Sequence, residues 1–154
     1  MFNQLLPPRI DNTYRGSKLA LWLLVLVVLM KTSIGLGTIF NGRNAAIMAD
    51  GIPLDTFTPA GAHAFLSVFA IWGLAQVIIG VLGILVLVRY RAMIPFTYSL
   101  LLLEHLVRKL ILFVMPIAKT GTRPGFFINL ALVAVMIVGL ALSLRGQDDS
   151  QARR

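Results

Sequence analysis

The residues of this chain most able to do chemistry stand inside its apolar stretches. Lys31 interrupts the first stretch, Gln76 the second and Asn129 the last, while the third carries Glu104-His105 followed by Arg108-Lys109. A charge at mid-bilayer costs about 2.5–3.5 kcal/mol on insertion scales, so each of these groups needs a reason to be there. Glu104 and Arg108 stand four residues apart and can pair along one helix, and Lys31 offers Glu104 a second cation. The balance of signs says more than any pair. Lys31, Arg108 and Lys109 share a single carboxylate, and unpaired buried charge is costly. A bound anion, a lipid headgroup or a water-filled cavity would relieve the excess. Lys31, Gln76, Glu104, His105, Arg108, Lys109 and Asn129 are therefore the candidate residues of a buried polar network or ligand site.

Plainer readings stand beside this one. Gln76 and Asn129 taken singly read as hydrogen-bonding glue between helices, and Lys109 can snorkel outward. His105 beside Glu104 suggests a proton relay, since histidine titrates near neutrality. Adjacent helical residues point about 100° apart, however, so the two need not share a partner. No nucleophile motif, phosphate-cradling loop or metal-ligand spacing occurs in the chain. Without cysteine, disulfides, thiolate chemistry and iron–sulfur clusters are excluded, and His63 and His105 alone do not make a three-ligand zinc site. No catalytic residue and no metal site is assigned. No cofactor is identified either; a lipid or a quinone-like molecule is the kind of ligand such a layer suits. Trp22, Trp72, Tyr90 and Tyr98 read as packing or interface aromatics.

The elements that position these groups follow from hydropathy. The chain is 58% hydrophobic and 13% charged, with a mean hydropathy of +0.86, too little charge to cover a water-soluble domain of 154 residues. Its apolar blocks are long enough to cross hydrocarbon, which takes about 20 helical residues. The expected architecture is all-α: a single polytopic membrane domain over 1–154, a four-helix bundle with spans at about 18–40, 59–88, 93–115 and 125–144. The first block is too long for a signal-peptide core and has no small-residue cleavage site after it, so it reads as an uncleaved span. Thr58-Pro59 looks like a cap with proline at the first helical position, and Thr122-Arg123-Pro124 opens the last span. Outer loops fall at 41–58, where residues 44–50 suit a short surface helix, and at 116–124. A basic cytoplasmic turn falls at 89–92, and a polar tail that should fray follows residue 144.

Charge sets orientation. With the N-terminus inside, the cytoplasmic side holds Arg9, Arg15, Lys18, Arg89, Arg91, Arg145, Arg153 and Arg154, and the outer loops hold Arg43, Lys119 and Arg123. That asymmetry predicts both termini in the cytoplasm, in a multi-pass protein of the inner (plasma) membrane. The net charge of +8 is scattered over span ends rather than gathered in a patch, so it argues for the bilayer as partner and against nucleic acid.

Helical geometry brings the polar groups together. At about 100° per residue, Thr97, Glu104, His105, Arg108 and Lys109 fall on one side of the third span. Lys31, Gly35 and Thr38 form a stripe on the first. Gly73, Gln76, Gly80 and Gly83 share a face of the second that suits close helix packing. These faces should turn inward at similar depth and make one polar layer, open toward the outer side, with His63 near its mouth and Asp50 and Asp55 above.

The second span also resembles a known family. Ala75-Gln76-Val77-Ile78-Ile79-Gly80, then Gly83, then Arg89-Tyr90-Arg91-Ala92 looks like the corresponding helix of the DoxX-like proteins, small four-span bacterial membrane proteins. Gly35-x-Gly37 through Phe40-Asn41-Gly42 is similar in style. The likeness covers the first two spans and their turn; the charged third span is not part of it, and the family often has glutamate where Gln76 stands. It implies a four-helix bundle and an accessory role, sometimes tied to respiratory or sulfur-oxidising membranes, without implying a reaction. Three functions then compete. A binding or accessory protein would hold a lipid headgroup, a quinone-like molecule or a partner subunit, within a larger complex or a homo-oligomer. A membrane enzyme would use Glu104 or His105 as acid–base on a lipophilic substrate. A small transporter ranks third, because its sole intramembrane acid, Glu104, is held ionised by cationic neighbours.

Overall fold

The computed structural model describes residues 11–14, 16–120 and 124–151, and these are helical without a strand among them. Four helices carry the architecture: α1 Lys18–Phe40, α2 Pro59–Arg89, α3 Ile94–Val114 and α4 Pro124–Gln151. Three of them are long and apolar enough to cross a membrane, α1, α2 and the Pro124–Arg145 part of α4. The protein is thus a helical membrane protein. α3 matches them in length at 21 residues, but Glu104, Arg108 and Lys109 make it less apolar. α4 continues as helix to Gln151, well past the limit of about 144 set by its apolar block. Thr122 and Arg123, expected to open α4, and Arg9 and Arg15 lie outside the described residues.

Local chemistry fixes the helix ends. The Ser17 hydroxyl accepts from the Leu19 amide at 3.2 Å and caps α1. Thr58 does the same for α2, accepting from Gly61 at 3.1 Å, with Pro59 where its missing N–H costs nothing. A single 3₁₀ turn, Arg91–Met93, then reverses the chain into α3. Tyr14 anchors the approach to α1 by donating to the Ser17 carbonyl at 3.2 Å, and burial pushes its phenol up to about 12.

α1 lies at the centre, packed on α2 and α4, while α3 rests mainly on α4. The α1–α2 seam is built from glycine. A Cβ placed on Gly73 would lie 2.9 Å from the Gly35 carbonyl oxygen, and one on Gly35 would lie 2.6 Å from that of Gly73. Farther along, Gly80 receives Thr32 and Gly83 receives Val28. With no hydrophobic drive between helices in lipid, this close backbone approach is what gains dispersion energy. The Thr32 and Thr38 hydroxyls bond back to their own helix, each at 2.8 Å, so neither is left unpaired in the seam. The core on the other side of α1 joins Leu24 and Val27 to Ile94, Tyr98 and Leu101 of α3 and to Leu132 and Met136 of α4. Tyr98 donates to the Ala20 carbonyl at 2.7 Å, and only a glycine at 139 leaves room for its ring.

The loop between α1 and α2 differs from the expected surface helix. Residues Gly42–Asn44 run into a π-helical turn, Ala45–Ala49, and Ala46, Ile52 and Leu54 are buried against Phe57, Phe65 and Phe69. Residues 44–50 read from sequence as a surface helix, but Ala46, with Ile52 and Leu54 after the turn, has an aromatic surface on α2 to cover. Gly51, at φ 67°, makes the turn back. Its carbonyl accepts from Thr120 at 2.7 Å, and Gly125 at the start of α4 admits the Ala49 carbonyl, so the loop side is tied together.

The glycine seam makes a direct prediction. Gly73→Ala forces backbone apart and should cost about 1–3 kcal/mol, seen as a lower melting temperature in detergent. Gly37→Ala, whose Cβ would meet nothing within 4 Å, should leave it unchanged or slightly raised. Equal effects at the two positions would show that α1 and α2 do not meet through Gly73.

Candidate functional site

Lys31 is one of the buried members of the polar layer. It projects from α1 with 5% of its side chain exposed, and its ammonium donates to Gln76 Oε1 at 2.7 Å and to Glu104 Oε2 at 2.8 Å. Gln76 closes the triangle by donating from Nε2 to Glu104 Oε1 at 3.4 Å. The stripe of Gly73, Gln76, Gly80 and Gly83 explains its reach. The small residues bring α2 close to α1, so the one long polar side chain on that face arrives at Lys31. An ion pair this buried survives only because the remaining lone pairs and protons also find partners.

A second cluster adjoins the first on α3. Arg108 Nη2 lies 2.8 Å from His105 Nδ1 and donates to Asn129 Oδ1 at 3.0 Å. Arginine can only donate, so Nδ1 accepts, and the imidazole is uncharged with its proton on Nε2. That Nε2 is buried with no partner among the described residues. Asn129 is held by donating from Nδ2 to the Gly125 carbonyl one turn back, at 2.7 Å, which fixes its oxygen toward Arg108. The guanidinium lies over the Trp72 ring, 5.4 Å from its centroid. Its link to Glu104 is loose, with Nε 3.9 Å from Oε1.

Six of the seven residues singled out from the sequence thus meet in one polar layer of two hydrogen-bonded clusters, joined by the Arg108–Glu104 ion pair: Lys31, Gln76, Glu104, His105, Arg108 and Asn129. Lys109 does not join it. Its side chain is exposed and its ammonium sits over the Phe126 ring at 5.1 Å. His63 is exposed as well, away from the layer's contacts. The charge excess therefore shrinks to one: Lys31 and Arg108 against Glu104. His105 and Glu104 share no hydrogen bond, so the proton relay considered above is not assembled. No group of three or more potential metal-ligating side chains occurs among the described residues.

Trp72 is the member that pattern reading passed over. It ends a series of ring contacts, Phe57 edge-on to Phe65, Phe65 stacked on Phe69 at 5.5 Å and Phe69 stacked on Trp72 at 5.6 Å, running from the α1–α2 loop to Arg108. Its signal was the spacing of Phe65, Phe69 and Trp72, four and three residues apart, which puts all three on one helical face. No family model, curated protein or solved structure matches the chain.

The first cluster predicts a stability pattern. Glu104→Gln strands the Lys31 charge and should cost about 3–5 kcal/mol, a large drop in melting temperature in detergent. Lys31→Met combined with Glu104→Gln should recover part of the loss. An unchanged melting temperature in the single variant would mean that the carboxylate is not a structural partner of Lys31.

Proposed function

We propose that this chain is a small bacterial inner-membrane protein that crosses the bilayer four times with both ends in the cytoplasm. In its polar layer it binds the negatively charged head of a lipophilic molecule, as a binding or accessory component rather than an enzyme. The observation that carries this reading is Arg108. Its hydrogen bonds go to two neutral acceptors, while the only carboxylate near it among the described residues, Glu104 at 3.9 Å, already accepts from Lys31 and Gln76. A cation left unneutralised in a low-dielectric layer attracts an anion more strongly than it would in water. The uncharged, Arg108-bound state of His105 counts against acid–base chemistry. The likeness of α2 to the DoxX-like proteins fits an accessory role in a larger membrane assembly.

The fourth crossing is supported by partners for charge. In α3, Glu104 and Arg108 are met by Lys31, Gln76, His105 and Asn129, and Lys109 lies over Phe126, so their presence does not bar the helix from hydrocarbon. The Lys/Arg asymmetry between the two sides supports the orientation. Because the chain has no cysteine, single cysteines at Thr13, Thr56 and Ser150 report topology cleanly. In intact cells an impermeant thiol reagent should label position 56 alone. Labelling at 13 or 150 would sink the orientation.

The binding reading is tested by native mass spectrometry of the mildly extracted protein. The wild type should carry an anionic adduct, Arg108→Gln should lose it, and Arg43→Gln, at an exposed outer-loop cation, should keep it. An adduct retained by Arg108→Gln, or none on the wild type, would overturn the assignment.

A further inference from the structure

Access to the layer differs from side chain to side chain. Lys31 is 5% exposed, whereas the Arg108 and Glu104 side chains are 24% and 27% exposed, so the layer opens along its α3 edge. That opening does not point to water on the loop side. There the segment from Gly42 to Phe57 folds down on α2, and the series of ring contacts from Phe57 through Phe65 and Phe69 to Trp72 continues to Arg108. The opening lies between α2 and α3, which pack on each other far less than α2 packs on α1 or α3 on α4. Beside it stand apolar residues one turn from the site, Val68 before Trp72 and Ile111 after Arg108, each more than half exposed. Such residues face acyl chains, not water.

The guanidinium itself has a defined free edge. Nη2 is taken by His105 and Asn129, and Trp72 covers one face, while Nη1 meets no acceptor among the described residues. The two N–H donors of Nη1 and the positive charge suit a phosphate oxygen, which accepts charge-assisted hydrogen bonds from them. We infer, resting on the binding function above, that the ligand is an anionic glycerophospholipid of the loop-side leaflet. It reaches Arg108 sideways between α2 and α3, sets its phosphate on the free guanidinium edge and leaves its chains along the exposed apolar flanks. Lys31 is then not a ligand contact. It is the counter-ion that keeps Glu104 occupied, so that Arg108 stays available.

The protein supplies its own reporter, because Trp72 lies against Arg108 and the chain has two tryptophans. In Trp22→Phe, with Trp72 alone, quenching is measured in vesicles of phosphatidylcholine containing brominated phosphatidylglycerol or brominated phosphatidylcholine. Phosphatidylglycerol should occupy the site with about fivefold preference, the factor expected when one cation meets one anionic lipid, and salt should weaken it less than at an exposed charge. Arg108→Gln should erase the preference. So should Asn129→Asp, which offers Arg108 an internal carboxylate and brings the layer's charge from an excess of one to balance, so that a newly stranded charge is not the cause. Arg43→Gln should keep it. Equal quenching by the two lipids would overturn the inference. A fluorescence response to inorganic phosphate in phosphatidylcholine vesicles, without lipid preference, would overturn it in favour of a soluble anion. That outcome would leave an Arg108-dependent adduct, and hence the binding function, standing.

Discussion

Lys31 is the group on which the rest of the arrangement depends. An ammonium placed this deep in α1 needs acceptors that do not come from lipid, and it takes them from two other helices, Gln76 on α2 and Glu104 on α3. Three helices are thereby held in depth relative to one another, since a slide of one residue moves a side chain by about 1.5 Å along the axis and would break contacts of 2.7 and 2.8 Å. The glycine seam serves the same end. If α2 could not approach α1 at Gly35 and Gly73, Gln76 would not span the distance to Lys31. Packing by small residues and pairing of buried charge are two sides of one constraint, the lack of any solvent in the interior that could satisfy either.

The consequence for Glu104 is that its two oxygens are committed. One accepts from Lys31 and the other from Gln76, so Arg108 on the next turn is held only loosely at 3.9 Å. Arg108 therefore turns to His105, Asn129 and the face of Trp72. Each of these contacts orients the guanidinium without neutralising it. A layer that contains a carboxylate and two cations is thus divided into a half whose charges are paired and a half that retains a charge. This division is a property of hydrogen-bond supply and not of charge count alone.

The loop side shows how a polar-looking segment can become structural. Asn44 and Asp50 bracket a π-helical turn whose Ala46 is fully buried, and Ile52 and Leu54 follow it into the same aromatic surface. The short connection at Thr120 and the close approach of Gly125 to Ala49 tie this lid to the start of α4. Residues 44–50 are not the surface helix that sequence suggests, because Ala46, with Ile52 and Leu54 after the turn, has a matching surface on α2.

The amino-acid sequence by itself determined the all-helical membrane character, since blocks of this length and hydropathy have no other solvent and must satisfy their backbone internally. It also marked the polar layer, because charge in hydrocarbon is expensive enough to stand out at Lys31, Glu104 and Arg108, and helical spacing put the glycines and Gln76 on one face of α2. What it left open were the partners. Whether Lys109 joined the layer could not be read from spacing, for it falls near Arg108 in angle yet reaches Phe126 instead. Whether Glu104 paired with Lys31 or Arg108 depended on how near α1 lay to α3, and the structure brings Lys31 to 2.8 Å while Arg108, on the same helix as Glu104, stays at 3.9 Å. The place of Trp72 over Arg108 and the division of the layer into a paired half and a half that retains a charge belong to the tertiary structure alone. They arise from distances between helices, which a one-dimensional pattern of polar and apolar residues does not contain.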